Sequence, residues 1–189
     1  MSTLLVVGII IGLLVILGLG WASIYNQLIK LRTWAQESFS QIDVQLQRRN
    51  DLIPNLVETV KGYATHEKGT LEEVTKARQQ LVNLPSDATP EQINQLSNQL
   101  TGALSRLLAV AESYPELKAN TNFVELQREL SDTENRIAKA RQLYNSSIGQ
   151  YNTKVQTFPV NIVANVHHFD VKPFLETPVE DRQVPQVSF

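Results

Sequence analysis

Residues 4–24, LLVVGIIIGLLVILGLGWASI, carry no charged side chain. Coiled as a helix they reach about 30 Å, the thickness of a bilayer's hydrocarbon core. Such a segment either crosses a membrane or is a secretory leader. A leader needs a positive flank before the apolar run and a small-residue cleavage site after it. Met1-Ser2-Thr3 supplies no side-chain charge, and Gly18-Leu19-Gly20 is a poor version of that site. Trp21 and Tyr25 stand where an interfacial aromatic belt belongs. The reading is a retained transmembrane anchor over residues 1–25.

Within the anchor Gly8 and Gly12 form a GxxxG pair, the small-residue face that lets two membrane helices approach closely. They are the candidate transmembrane packing residues. Lys30 and Arg32 follow the anchor and no Lys or Arg precedes it, which favours an outside N-terminus and a cytoplasmic C-terminal region.

Beyond the anchor the apolar period is helical. Leu28, Leu31, Ala35, Phe39, Ile42, Leu46 and Ile53 fall at steps of three, four or seven. A second stripe runs from Leu56 to Leu84, interrupted at Glu67, and a third from Ile93 to Tyr114. The fourth, Phe123 to Phe158, keeps a near-heptad, coiled-coil-like seam. Thr89, Pro90 and Gln92 spell a capping box with proline at the first helical position. Asn122, with Glu125 three residues on, is read as opening the last helix, and Pro159 as ending it. Short connections make neighbouring helices antiparallel. The expected fold is all-α: a transmembrane helix continuing without Gly or Pro into an antiparallel bundle of long helices over residues 26–158. Residues 159–189 then form an extended C-terminal tail, in which VNIVANV (160–166) is read as a short strand or packed extended piece.

Chemistry is harder to find. With Lys plus Arg at 17 and Asp plus Glu at 19, the net charge of -2 gives no reason to expect nucleic acid as a partner. The absence of cysteine excludes disulfides, thiol nucleophiles and thiolate metal sites. His66-Glu67 lacks the second histidine of an HExxH zinc site, since position 70 is Thr. No phosphate loop or nucleophile elbow occurs, so no catalytic, metal or cofactor-binding residue is assigned and the chain is not expected to be an enzyme. Arg48, Arg49 and Asp51 admit two readings. Two arginines could grip a phosphate, a lipid head group or a partner's carboxylates. Alternatively Asn50 or Asp51 caps a helix that restarts near Pro54, and the arginines sit favourably at the end of the preceding helix. The bend is the preferred reading, and Arg48, Arg49, Asp51, His66 and Glu67 are the candidate partner-binding residues at that end of the bundle. Tyr144-Asn145 and Tyr151-Asn152, one heptad apart, place tyrosines on the seam and asparagines beside it.

These blocks together resemble the LemA family of bacterial membrane-anchored helical proteins. The likeness rests on YNQLIKLR (25–32), QIDVQLQRRNDLIPNLVETVKGYATHE (41–67), VTKAR (74–78), YPELKANTNFVELQREL (114–130), TENRIAKARQLYN (133–145) and FPVNIVA (158–164). It implies a membrane protein with an antiparallel helical bundle and no established reaction, and it points towards membrane organisation. His167-His168-Phe169 departs from the pattern, where a Gly-Phe pair is more usual. The expected function is a non-catalytic, single-pass scaffold in the bacterial inner membrane that self-assembles or organises envelope proteins. Its partners would be the lipid bilayer, further copies of itself and other membrane proteins. The alternative is an adaptor or sensor that binds a partner at the bend.

Overall fold

In a computed structural model, which describes residues 2–64 and 66–176, the chain is built from six helices. They are α1 (Ser2–Lys61), α2 (Lys68–Val82), α3 (Pro90–Ala111), α4 (Pro115–Lys118), α5 (Thr121–Gln156) and α6 (Val160–Val166). Among the described residues there is no strand. The tail beyond residue 176 lies outside the described residues.

The described residues fall into two compact units, those up to 38 with 143–174 and those from 39 to 142 with 175–176. In the second, Ile53, Leu56 and Val60 from α1 pack with Leu71, Val74 and Leu81 from α2 and Leu100, Leu104 and Leu107 from α3. Leu117 of α4 and Phe123 and Leu130 of α5 complete that core. α2 and α3 run antiparallel, tied by an ion pair between Glu73 and Arg106. The expected capping box is present: Thr89 Oγ1 accepts from Gln92 N–H at 3.3 Å, and Gln92 Oε1 accepts from Thr89 N–H at 2.9 Å. α5 opens two residues earlier than expected. Its capping side chain is Asn120, whose Oδ1 accepts from Phe123 N–H at 3.0 Å, and not Asn122.

In the first unit Leu28 of α1, Tyr151 and Val155 of α5, and Val160, Val163 and Ala164 of α6 enclose Phe169. Burial holds the Tyr151 hydroxyl above the usual phenol range, with Arg32 opposing and Asp170 adding to the shift. The strand or extended reading of residues 160–166 is corrected here. Val160, Val163 and Ala164 are buried at i, i+3 and i+4, a helical stripe that seven residues of sequence cannot separate from loose alternation. The first helix also differs from expectation. α1 does not end and restart at Asn50 or Asp51, and runs through Pro54 to Lys61.

Proline inside a helix removes one N–H and strands the carbonyl four residues back. That carbonyl belongs to Asn50, and Arg78 Nε of α2 donates to it at 2.9 Å. The side chain of a second helix thus replaces the missing backbone donor and lets the helix continue. A double-mutant cycle checks this. Arg78→Ala alone is expected to cost about 1–2 kcal/mol, as for a lost hydrogen bond to a charged donor. In a Pro54→Ala background, where residue 54 supplies its own N–H to Asn50, the cost should fall by at least about half. Additive costs in urea denaturation would remove the compensation from the account.

Candidate functional site

Arg49 is fully buried in the middle of α1. It stands three residues after Leu46 and four before Ile53, so it fills the seven-residue gap in the apolar stripe and faces the core. Its Nη1 donates to Thr101 Oγ1 and to Glu134 Oε1, both at 2.9 Å. Its Nη2 donates to Ser97 Oγ at 2.9 Å and to Ser97 O at 3.3 Å. Arg141 of α5, also buried, donates from Nη2 to the same Ser97 Oγ at 2.8 Å. Both acceptor sites of one hydroxyl are therefore taken by guanidinium groups. Thr101 Oγ1 in turn donates back to Ser97 O at 3.1 Å.

This layer joins α1, α3 and α5 through charge-assisted hydrogen bonds in a low-dielectric interior. It pairs Arg49 with one carboxylate, and Glu134 keeps about a third of its side chain in solvent (31%). The layer contains no thiol and no imidazole, and the guanidinium of Arg49 donates to Ser97, Thr101 and Glu134 within it. Its chemical capacity is to fix the register of three helices. Among the described residues no three His, Asp or Glu side chains gather as a metal site.

The other candidate residues are scattered. Arg48 and Asp51 are exposed on α1, on the side away from Arg49's contacts. His66 is exposed in the turn between α1 and α2, and Glu67 is half-buried there, its Oε1 accepting from Tyr114 O–H at 3.3 Å. Arg48, Asp51 and His66 therefore do not form one constellation with Arg49. Beside that turn an open groove of about 610 Å³ has an apolar floor of Val57, Ala64 and Leu71 and a rim that includes Lys61, Lys68 and Lys76. Gly8 and Gly12 face open space, and a Cβ at either would meet nothing within 4 Å. Every apolar side chain from Leu4 to Leu19 is exposed, and α1 is long and apolar enough at this end to cross a membrane.

A second cluster lies just past that apolar stretch. Trp21 Nε1 donates to His167 Nε2 at 3.1 Å, and Tyr25 packs on the same imidazole with ring centroids 4.7 Å apart. Tyr25 also meets Phe169 edge-on at 5.8 Å, and the Arg32 guanidinium sits 5.3 Å from that ring's centre. The His167-His168-Phe169 departure thus has a place in the fold. Phe169 N–H bonds to Ala164 O at 2.9 Å and His168 N–H to Asn165 O at 3.4 Å, the paired bonds of a Schellman cap on α6. His168 occupies the left-handed position of that cap, with φ of 53°. That conformation favours glycine, the residue more usual in the family pattern. Because His168 is exposed and makes no side-chain contact that the cap needs, His168→Gly is expected to stabilise the protein by about 0.5–1 kcal/mol. His168→Ala should give no such gain, and thermal unfolding of the two variants side by side decides it.

From the cap the chain runs extended along α5. Asn152 holds it there, donating from Nδ2 to Lys172 O at 2.7 Å and accepting at Oδ1 from Lys172 N–H at 2.8 Å. The asparagine beside the seam fastens an extended backbone to the helix. The sequence signal for the Arg49 layer was the seven-step gap at Leu46–Ile53; Ser97, Thr101, Glu134 and Arg141 had none.

The LemA family model matches residues 38–189. The magnetosome protein MamQ of Magnetospirillum gryphiswaldense is 27% identical over 191 aligned positions, covering 86% of this chain and 70% of that protein. MamQ 2 of Paramagnetospirillum magneticum is similar to the same extent, 27% over 86% of this chain and 70% of its own length. Protein LemA of Metamycoplasma hominis is 29% identical over 74% of this chain and 63% of its length. An apolar N-terminal helix and these relatives fit a membrane location.

Proposed function

Because the chain belongs to the LemA family, we propose that it is a non-catalytic, single-pass membrane scaffold that self-assembles and organises membrane or envelope proteins. The observation that carries this reading is α1 itself. One helix presents bare apolar side chains from Leu4 to Leu19 and, further along, the buried Ile53, Leu56 and Val60 of a packed bundle. Names of family relatives that are not enzyme names, and two of which are magnetosome proteins, support a role in membrane organisation. In this reading residues 1–25 are the anchor in a bacterial inner membrane, 26–158 the cytoplasmic bundle and 159–189 a C-terminal segment. The lateral contact between copies uses Gly8 and Gly12, whose open faces leave room for a second helix.

Light scattering on the detergent-solubilised full-length protein tests this. The expected result is an oligomer that Gly8→Ile with Gly12→Ile reduces to monomer while helix content stays constant. A wild-type monomer with no co-purifying membrane protein would overturn the scaffold reading. A second reading is favoured by the lysine-rimmed groove beside His66 and Glu67. There the chain would act as an adaptor for a partner segment with an apolar face and acidic flanks. Charge reversal at Lys61, Lys68 and Lys76 would abolish that binding and leave oligomer size untouched.

A further inference from the structure

The segment from Val155 to Phe169, VQTFPVNIVANVHHF, contains no Asp, Glu, Lys or Arg. Its inward residues are accounted for, because Val155, Val160, Val163, Ala164 and Phe169 pack in the core of the first unit. Its outward residues are apolar as well. Ile162 and Val166, one turn apart on α6, are 48% and 57% exposed, and Phe158 in the turn before α6 is 76% exposed. A short helix with one face in the core and an apolar ridge on the other has no reason to face water.

The position of this ridge identifies what covers it. α5 descends beside α1, with Tyr151 and Leu28 in one core, and His167 just after α6 is bonded to Trp21. Residues 151 to 167 therefore carry the chain from the level of Leu28 to that of Trp21, where the bare apolar stretch of α1 ends. The charges around the ridge suit a phospholipid surface. Lys154 precedes the uncharged segment, Lys30 and Arg32 lie on the adjoining α1, and Lys172 follows, against Asp170 as the local acid. Long basic side chains at this depth reach head groups while their stems cover apolar surface.

We infer that α6 and the preceding turn form an interfacial foot, with Phe158, Ile162 and Val166 seated in the head-group and upper acyl region of the membrane that α1 enters. The occupant of the ridge is the bilayer surface, and Trp21–His167 is the joint that fixes the foot to the anchor. This rests on the reading of residues 1–25 as a membrane anchor. It adds that the protein meets the membrane at two places, a spanning helix and a helix lying in the interface plane.

The native chain has no cysteine, so single cysteines carrying a fluorophore can be placed one at a time in the full-length protein. The informative sites are Ile162→Cys and Val166→Cys, both exposed. Ile10→Cys in the anchor and Val44→Cys, an exposed apolar position in the other unit, are the references. The labelled proteins are reconstituted in phosphatidylcholine–phosphatidylglycerol vesicles containing spin-labelled lipid. The expected result is strong quenching at Ile10 and quenching at Ile162 and Val166 severalfold greater than at Val44. Quenching at Ile162 and Val166 no greater than at Val44, with Ile10 still quenched, overturns the foot and leaves the anchor standing. A blue-shifted but unquenched probe at Ile162 and Val166 overturns it in favour of a second copy or another protein. Loss of quenching at Ile10 itself overturns the anchor, and the foot with it.

Discussion

Arg49→Ala is expected to destabilise the folded protein by about 3–5 kcal/mol, the range for removing one partner of a buried ion pair. Three separate losses add up to this. Glu134 keeps its charge with no cation beside it, Thr101 Oγ1 and Ser97 O lose a donor, and the cavity left in the α1 stripe has no side chain to fill it. Glu134 reaches solvent, which softens the first loss, whereas Ser97 is fully buried and cannot recruit water. For a chain of this size the cost corresponds to a midpoint lowered by about 10 °C in thermal unfolding of the detergent-solubilised protein. Arg48→Ala, one residue away and exposed, should change stability by less than about 0.5 kcal/mol. Arg49→Lys should lose most of what Ala loses, because a point charge cannot reach Ser97, Thr101 and Glu134 at once as the forked guanidinium does. An unchanged midpoint for Arg49→Ala would show that the layer is dispensable and reopen Arg49 as a residue kept for binding. If instead Arg48→Ala leaves stability intact and a partner is lost, Arg48 is the contact at this place on α1.

Phe169→Ala should cost a similar amount, about 3–5 kcal/mol, but in the other unit. The ring is the apolar side of the Schellman cap, paired with Ala164, and it is the floor under Tyr25 and Arg32. Without it α6 keeps its backbone bonds and loses the contact that holds them against α1. Hydrogen exchange should therefore report faster exchange across residues 160–175, with residues 90–111 protected as before. Uniform loosening across both regions would mean that the two units unfold together. No change in residues 160–175 would mean that Asn152 and its bonds to Lys172 are enough to hold this segment.

The legible part of the fold is that governed by contacts within one helical turn. Thr89, Pro90 and Gln92 form the cap that their types and spacing predict, because a capping box is closed by residues three apart. The apolar stripes are helical faces as read, because a period near 3.6 gives each helix one face to bury, but Leu56 and Val60 of the second stripe belong to α1 and only its part from Leu71 on lies in α2. Failures occurred where local and distant partners compete. Pro54 reads locally as a helix boundary, and it is not one, because Arg78 from another helix bonds the carbonyl that the proline strands. Asn122 and Asn120 are equally good caps by type, and Asn120 is selected as its side chain also donates to the Tyr63 hydroxyl at 2.9 Å.

The candidate site divides in the same way. Arg48, Arg49 and Asp51 are neighbours in sequence, and a helix points neighbours about 100° apart, so residue type alone does not tell which one enters the core. The apolar N-terminal helix, the helical class, the α3 cap and the absence of thiol chemistry were determined by the sequence by itself, since each depends on composition or on residues within a turn of one another. The partners of the inward arginine, the proline bridged from α2 and the His167–Trp21 joint were decided only by the tertiary structure. Their partners lie 48, 28 and 146 residues away, and a hydrogen bond across that distance exists only once the chain has folded the two ends together.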